Sequence, residues 1–238
     1  MTLIKEKEKI KKINLTTHYN DLYKNSLIKI KNDDYQMDEL LKFPENDKRY
    51  GLTLIIRPDD DTKNNIINFL LNLQKIDPDQ FYYSNYNIHI TVISIISCYN
   101  EFNITDININ DYISIIEKSI KEEKEFKINF KGITASPSCI MIRGYPENEI
   151  LNNIRNKLRY NFKNSNLQQS LDKRYQIQTA HTTIIRFKEK IINKECFLNV
   201  LNKNEITDFG TFGVKSLELV YNDWYHKKSE KLHEFILK

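Results

Sequence analysis

Glycine and proline are scarce in this chain of 238 residues, five of each, and there is a single tryptophan. No Gly-rich loop is present to cradle a phosphate with backbone N–H groups, which removes the nucleotide-binding classes that depend on one. No stretch rich in Gly, Ser and Pro marks an interdomain linker. The three cysteines, Cys98, Cys139 and Cys196, show no close metal-ligand spacing. Two of them lie in apolar strand-like runs, so buried, reduced thiols of a cytosolic protein are expected. No apolar run approaches the length of a membrane span. The start, "MTLIKEKEKIKKIN", carries charges without an apolar core, so no signal peptide is expected and the expected location is the cytoplasm. The net charge of +4 suits an anionic ligand but falls short of a nucleic-acid-binding signature.

What remains is an ordinary globular composition, 40% apolar and 29% charged, skewed toward Ile, Asn and Lys. The length suffices for one sizeable core. Residues 1–48 read as a helical extension: Tyr19, Leu22, Tyr23, Ser26, Leu27 and Ile30 fall at helical spacing, with Thr16 or Thr17 available as a cap. His18, near that start, reads as a surface or capping residue. From about Leu52 the order is strand, helix (Ile66, Ile67, Leu70, Leu71, Leu73) and strand, followed by a helix over about 106–124. Asp59, Asp60 and Asp61 read as a helix-start acidic cluster, and no metal site is expected. The second half repeats the order: paired strands in "FKINFKGI" and "SCIMIRGY", a helix in "ENEILNNIRNKLRYNF", and a strand in "QIQTAHTTIIRF". A helix around "KECFLNVLNK", a strand in "VKSLELVYND" and a hairpin partner in "KLHEFILK" complete the chain. This is a diverged duplication of a β–α–β order within one domain, residues 49–238.

Each half places a histidine in a strand-like run, where its ring nitrogens need partners. One is His89-Ile90-Thr91-Val92 and the other His181-Thr182-Thr183-Ile184. At a strand period of two, each histidine and the threonine two places on share a face. If the halves pack about a pseudo-two-fold axis, two imidazoles and two hydroxyls meet across a cleft. Displacement at a phosphodiester needs one proton removed and another supplied, and histidine does either near neutral pH. The threonine hydroxyls can donate to the non-bridging oxygens. No cofactor is called for.

The paired "HITV" and "HTTI" resemble the signature of the two-histidine phosphoesterase superfamily, which includes 2′-5′ RNA ligase-like proteins and cyclic nucleotide phosphodiesterases. The resemblance covers about Arg49 to Lys238. An N-terminal helix before "DKRYGLTLIIRP" also resembles a bacterial subgroup. The resemblance implies an α+β, bilobal fold with a concave antiparallel sheet in each lobe, facing a central cleft. It also implies metal-independent cleavage or ligation of 2′-linked or cyclic phosphates, with His89 and His181 catalytic and Thr91 and Thr183 on the phosphate. Arg186 matches a frequent basic position. Strand parity puts it opposite His181, however, so a bulge or chain end must redirect it, or else it is a surface arginine. Ser94 stands at the matching offset in the first half.

In "YNDWYHKK", an aromatic at the cleft rim, Tyr225 among them, is a candidate to stack on a nucleobase, although near a hairpin turn packing is the commoner role. His226 and His233 lack a threonine two places on and read as surface residues. Arg159, Lys163, Lys173 and Arg174 form a basic region that reads as a solvated face. The expectation is a monomeric phosphodiesterase acting on a 2′,3′-cyclic phosphate or a 2′-5′-linked or cyclic nucleotide. The alternatives are a 2′-5′ RNA ligase, whose chemistry is the reverse, and a non-catalytic nucleotide- or RNA-binding protein.

Overall fold

A computed structural model describes residues 13–173 and 175–238. The lysine-rich start and Arg174 of the basic region lie outside them.

The N-terminal segment forms helix α1 (Leu15–Lys31), capped by Asn14, whose side chain accepts from the Thr17 N–H at 3.0 Å. The cap is therefore Asn14, not Thr16 or Thr17. Strand β1 (Arg49–Ile56) leads to α2 (Asp60–Ile76), where Asp59 accepts from the Thr62 N–H and Asp60 and Asp61 fill the first turn. The acidic cluster is thus a helix start, placed where the helix dipole favours negative charge. After a short β2 (Phe81–Tyr82) come β3 (Ile90–Asn100) and α3 (Ile109–Ile120). Then follow β4 (Phe126–Ser136), β5 (Cys139–Pro146), α4 (Ile150–Lys163), β6 (Thr182–Arg186) and α5 (Lys194–Lys203). The chain closes with β7 (Asp208–Val214), β8 (Ser216–Asp223) and β9 (Ser229–Ile236).

Two antiparallel sheets result, with strand orders β3-β1-β8-β9 and β2-β6-β5-β4-β7. The fold class is α+β as expected, but the sheets do not follow the halves of the sequence. The C-terminal hairpin β8–β9 completes the sheet begun by β1 and β3, and β2 crosses to pair with β6. Neither β2, in a stretch that reads as a turn, nor β7 was expected. A two-residue strand has no period to detect, and β7 carries two of the five glycines. Apolar side chains from both sheets and the covering helices, among them Leu54, Ile90, Ile128, Ile140, Ile184 and Leu219, join in one core. Helix α1 packs on β4, where Ser26 and Thr134 hydroxyls donate across the contact to the carbonyls of Ala135 and Tyr19.

Strand β3 is a sheet edge, open to unwanted pairing. The loop after α4 covers it: the Ser170 N–H donates to the Ile95 carbonyl (2.8 Å), and the Ser97 N–H donates to Ser170 Oγ (2.6 Å). Among the described residues, no helix is long and apolar enough to cross a membrane.

Candidate active site

His89 and His181 do not lie inside strands; each is the residue immediately before one, His89 before β3 and His181 before β6. There the ladder no longer claims the neighbouring main chain, so local groups hold the rings. His89 Nδ1 meets the Asn87 carbonyl at 2.7 Å, and His181 Nδ1 meets Thr179 Oγ1 at 2.7 Å. In each case the partner lies two residues earlier. The carbonyl can only accept, so His89 Nδ1 carries the proton and the lone pair of the neutral ring sits on Nε2. The Thr179 hydroxyl can accept or donate and suits either state of His181.

Beyond each histidine the strand carries a bulge at the same place. In β3, Thr91 and Ile93 oppose consecutive residues of β1, Ile55 and Leu54, leaving Val92 extra. In β6, Thr183 and Ile185 oppose Met141 and Ile140, leaving Ile184 extra. A bulge shifts side-chain parity by one. It therefore turns Arg186 to the side of His181 and Thr183, and turns Ser94 likewise beside Thr91; all five line one cavity of about 540 Å³. The carbonyls that the bulges expel from the ladder find different donors. Val92 O accepts from Arg155 Nε (2.8 Å), and Ile184 O accepts from the Tyr83 N–H (3.0 Å).

The cavity has a positive field. Arg186 lies on its wall, with Nε donating to Tyr83 Oη at 3.1 Å. Arg155, 0% exposed on α4, donates from Nη2 to the carbonyls of Thr91 (2.9 Å) and Thr179 (2.8 Å), tying together the backbones that carry both histidines. Burial lowers its pKa to about 9. Burial likewise pushes His181 down to about 4, assisted by Arg155, His89, Arg186 and His18. His89 also falls to about 4 through burial, opposed by the Asn87 carbonyl and assisted by Arg57 and Arg186. Both rings are neutral at pH 7, and a bound anion would raise both.

No known family profile matches the sequence, and no curated protein matches it. Solved structures do. TT0787 of Thermus thermophilus aligns with 79% of this chain and 97% of its own, at TM-score 0.58 and 14% identity. LigT of E. coli complexed with 3′-AMP aligns with 80% of this chain and 99% of its own, at TM-score 0.55 and 12% identity. A structure described as a phosphoesterase gives the same coverage, TM-score and identity as that LigT complex. The chain shares the fold of these LigT and phosphoesterase structures.

Within this LigT-like fold, several residues lie elsewhere than the sequence suggested. His226 is no surface residue: it is 7% exposed, lines the cavity, and its ring lies against His89 with centroids 3.8 Å apart. His89, half-buried, adjoins the cavity through this contact. His18 also lines the cavity, carried there by α1 together with Tyr19 and Leu22. Tyr225 is not at the rim. It is buried, with its ring 5.8 Å from that of Phe81 and its hydroxyl accepting from Arg49 Nη2, so its environment is that of a packing residue behind Arg186. Its neighbour Trp224 takes the wall position, with the Arg49 guanidinium 4.4 Å from its ring. His233 stays apart, beside Phe235.

The basic region divides: Lys173 lines the cavity, Lys163 is exposed, and Arg159 turns inward to pair with Asp172 at 2.9 Å. Cys98 and Cys139, the two in strand-like runs, line the cavity, Cys139 buried as expected and Cys98 only half-buried, whereas Cys196 is exposed on α5. Among the described residues, no group of three or more His, Cys, Asp or Glu could hold a metal ion.

The missed contributors, His226 and His18, left no mark in the sequence. A lone histidine beside a turn or a helix start has no period, and tertiary packing alone assigns its face.

Proposed function

We propose that this chain is a phosphodiesterase of the two-histidine type, hydrolysing a 2′,3′-cyclic phosphate or a 2′-5′-linked or cyclic nucleotide. One observation carries the proposal. Two histidines, each leading a strand with a bulge at the same offset, bring matching threonines to one electropositive cavity.

The chemistry follows from the ring geometry. His89, fixed as the Nδ1–H tautomer, offers a lone pair at Nε2 and takes the proton from the attacking water. The new P–O bond forms in line with the breaking one. The departing sugar oxygen receives a proton from His181, whose Nδ1 partner Thr179 tolerates gain and loss of charge. Thr91, Thr183 and Arg186 donate to the non-bridging oxygens, where negative charge grows as phosphorus becomes five-coordinate. Water in, one P–O bond broken and one formed, and one proton carried through each imidazole: the step balances without another reactant.

The cavity volume suits one nucleotide, and Trp224 and the exposed Tyr175 on its wall offer ring faces to a base. LigT, with the same fold, has been captured with 3′-AMP, a nucleotide.

The test is turnover of a panel of 2′,3′-cyclic, 3′,5′-cyclic and 2′-5′-linked nucleotides by wild type, His89→Ala and His181→Ala, in excess chelator. At least one substrate should be cleaved, with a loss of roughly 10²–10⁴-fold in each variant. Undiminished cleavage by both variants would exclude the proposed machinery.

A further inference from the structure

His226 occupies a backbone conformation that is uncommon outside glycine. Its φ is 56°, in the left-handed region. It lies in the turn between β8 and β9, where Asp223 accepts the N–H groups of Tyr225 and Lys227 on its carboxylate and that of His226 on its carbonyl. Glycine or asparagine is the natural occupant of such a place, and a larger side chain costs about 1 kcal/mol there. Strain of this kind calls for something that the side chain does.

The ring lies against His89, at 3.8 Å between centroids and 36° between planes. One residue ties the two together. Asn87 accepts His89 Nδ1 on its carbonyl, and its side-chain Nδ2 donates to the His226 carbonyl at 2.9 Å. Ser84 Oγ donates in turn to Asn87 Oδ1 at 2.7 Å, which fixes the amide. The Nδ1 of the His226 ring is enclosed without a hydrogen-bond partner. A buried polar atom left unsatisfied is unfavourable, so the ring is not there for turn stability.

We propose that His226 is a positioning residue for His89: it closes one face of that imidazole and holds it against the Asn87 carbonyl, with Nε2 directed to substrate. The inference rests on the proposed phosphodiesterase activity for its purpose, though not for its geometry. The charged and titratable groups facing this ring pair are Arg57, Arg186 and His181, and all disfavour a second positive charge. Arg57 is itself held by Glu218 at 2.8 Å. His226 therefore stays neutral while His89 takes up its proton, and its ring keeps water from one face of His89. Without His226, water reaches His89, and both its orientation and its shielding are lost.

The turn geometry supplies the experiment. His226→Gly and His226→Asn both accept the left-handed backbone, so the fold should be retained, and thermal stability should be unchanged or raised. His89 is followed by NMR titration of its ring signal, assigned by its loss in His89→Ala, alongside kcat and KM on a 2′,3′-cyclic nucleotide. In both variants the His89 titration should move upward by about one unit or more, toward the ordinary value near 6.5. kcat should fall by about tenfold or more, with KM changed far less. Unmoved titration in both stable variants would overturn the inference, as would unmoved kcat. If wild type cleaves no cyclic nucleotide, the proposed activity is what fails, and the titration still decides whether His226 governs His89.

Discussion

The guanidinium of Arg155 donates to the main-chain carbonyl of Thr91 at 2.9 Å, although the two residues belong to α4 and β3, 64 positions apart. The same nitrogen reaches Thr179 at 2.8 Å, so a single buried cation spans the two histidine-bearing segments. It also satisfies the carbonyl that the β3 bulge expels. Arg155→Met should cost about 3 kcal/mol or more, because three carbonyls lose a donor in a dry interior. Denaturant unfolding measures the loss, and Arg155→Lys, which cannot reach all three at once, should recover only part of it.

Stability should depend on pH in a defined window. His89 and His181 have folded-state pKa values of about 4, below the value of about 6.5 expected when unfolded. Between those values the unfolded chain binds more protons, so acid favours unfolding. The contribution is fully present above about pH 6.5 and is lost progressively as pH falls toward about 4. The thermal midpoint should drop across that interval, and His89→Phe/His181→Phe should flatten the drop.

The two histidines should respond differently to the leaving group. A p-nitrophenyl phosphodiester departs without protonation, so it relieves the need for an acid but not for a base. The loss caused by His181→Ala should be smaller on that ester than on an alkyl phosphodiester, by about tenfold or more. His89→Ala should be impaired on both. Equal relief of both variants would overturn the assignment of roles.

Arg186 should act through binding of the phosphate. Arg186→Ala removes a charge-assisted, directional donor, so KM for a phosphodiester should rise by roughly 10–100-fold. Tyr83→Phe, which leaves the guanidinium but deletes its 3.1 Å hydroxyl partner, should show a smaller rise. Steady-state kinetics on the two variants makes the comparison.

Close approach of backbone should make Gly144 intolerant. A Cβ there would lie 1.9 Å from the Ala180 carbonyl oxygen, one residue before His181. Tyr19 bridges the same spot, donating to Gly144 O and accepting from the Ala180 N–H. Gly144→Ala should displace the His181 segment and lower kcat by about 10²-fold, while Tyr19→Phe should cause a milder loss. Crystallography of Gly144→Ala would place the shift.

The two His-x-Thr stretches were legible in strand-like runs because the motif is local, visible in four consecutive residues; the structure brings Thr91, His181 and Thr183 to one cavity and leaves His89 beside it. The helices were legible for the same reason, α5 to the residue and α1 apart from its cap. Arg186 was only half legible: its sequence position demanded a bulge, and whether Ile184 bulges depends on β5 and on the Tyr83 N–H from a distant segment. The assignment of β8 and β9 to the first sheet was illegible, since alternation says that a strand has two faces and not which neighbour it takes.

Local pattern by itself thus determined the order of the main elements and the two His-x-Thr stretches, because period and capping act over a few residues, and the α+β class followed from the resemblance those stretches carry. Tertiary structure alone decided which strands share a sheet, that both bulges turn Ser94 and Arg186 into one cavity, that α1 brings His18 to its wall, and that His226 lies on His89. Those outcomes depend on contacts between segments far apart in the chain, where long-range packing and the satisfaction of buried carbonyls, rather than local propensity, select the arrangement.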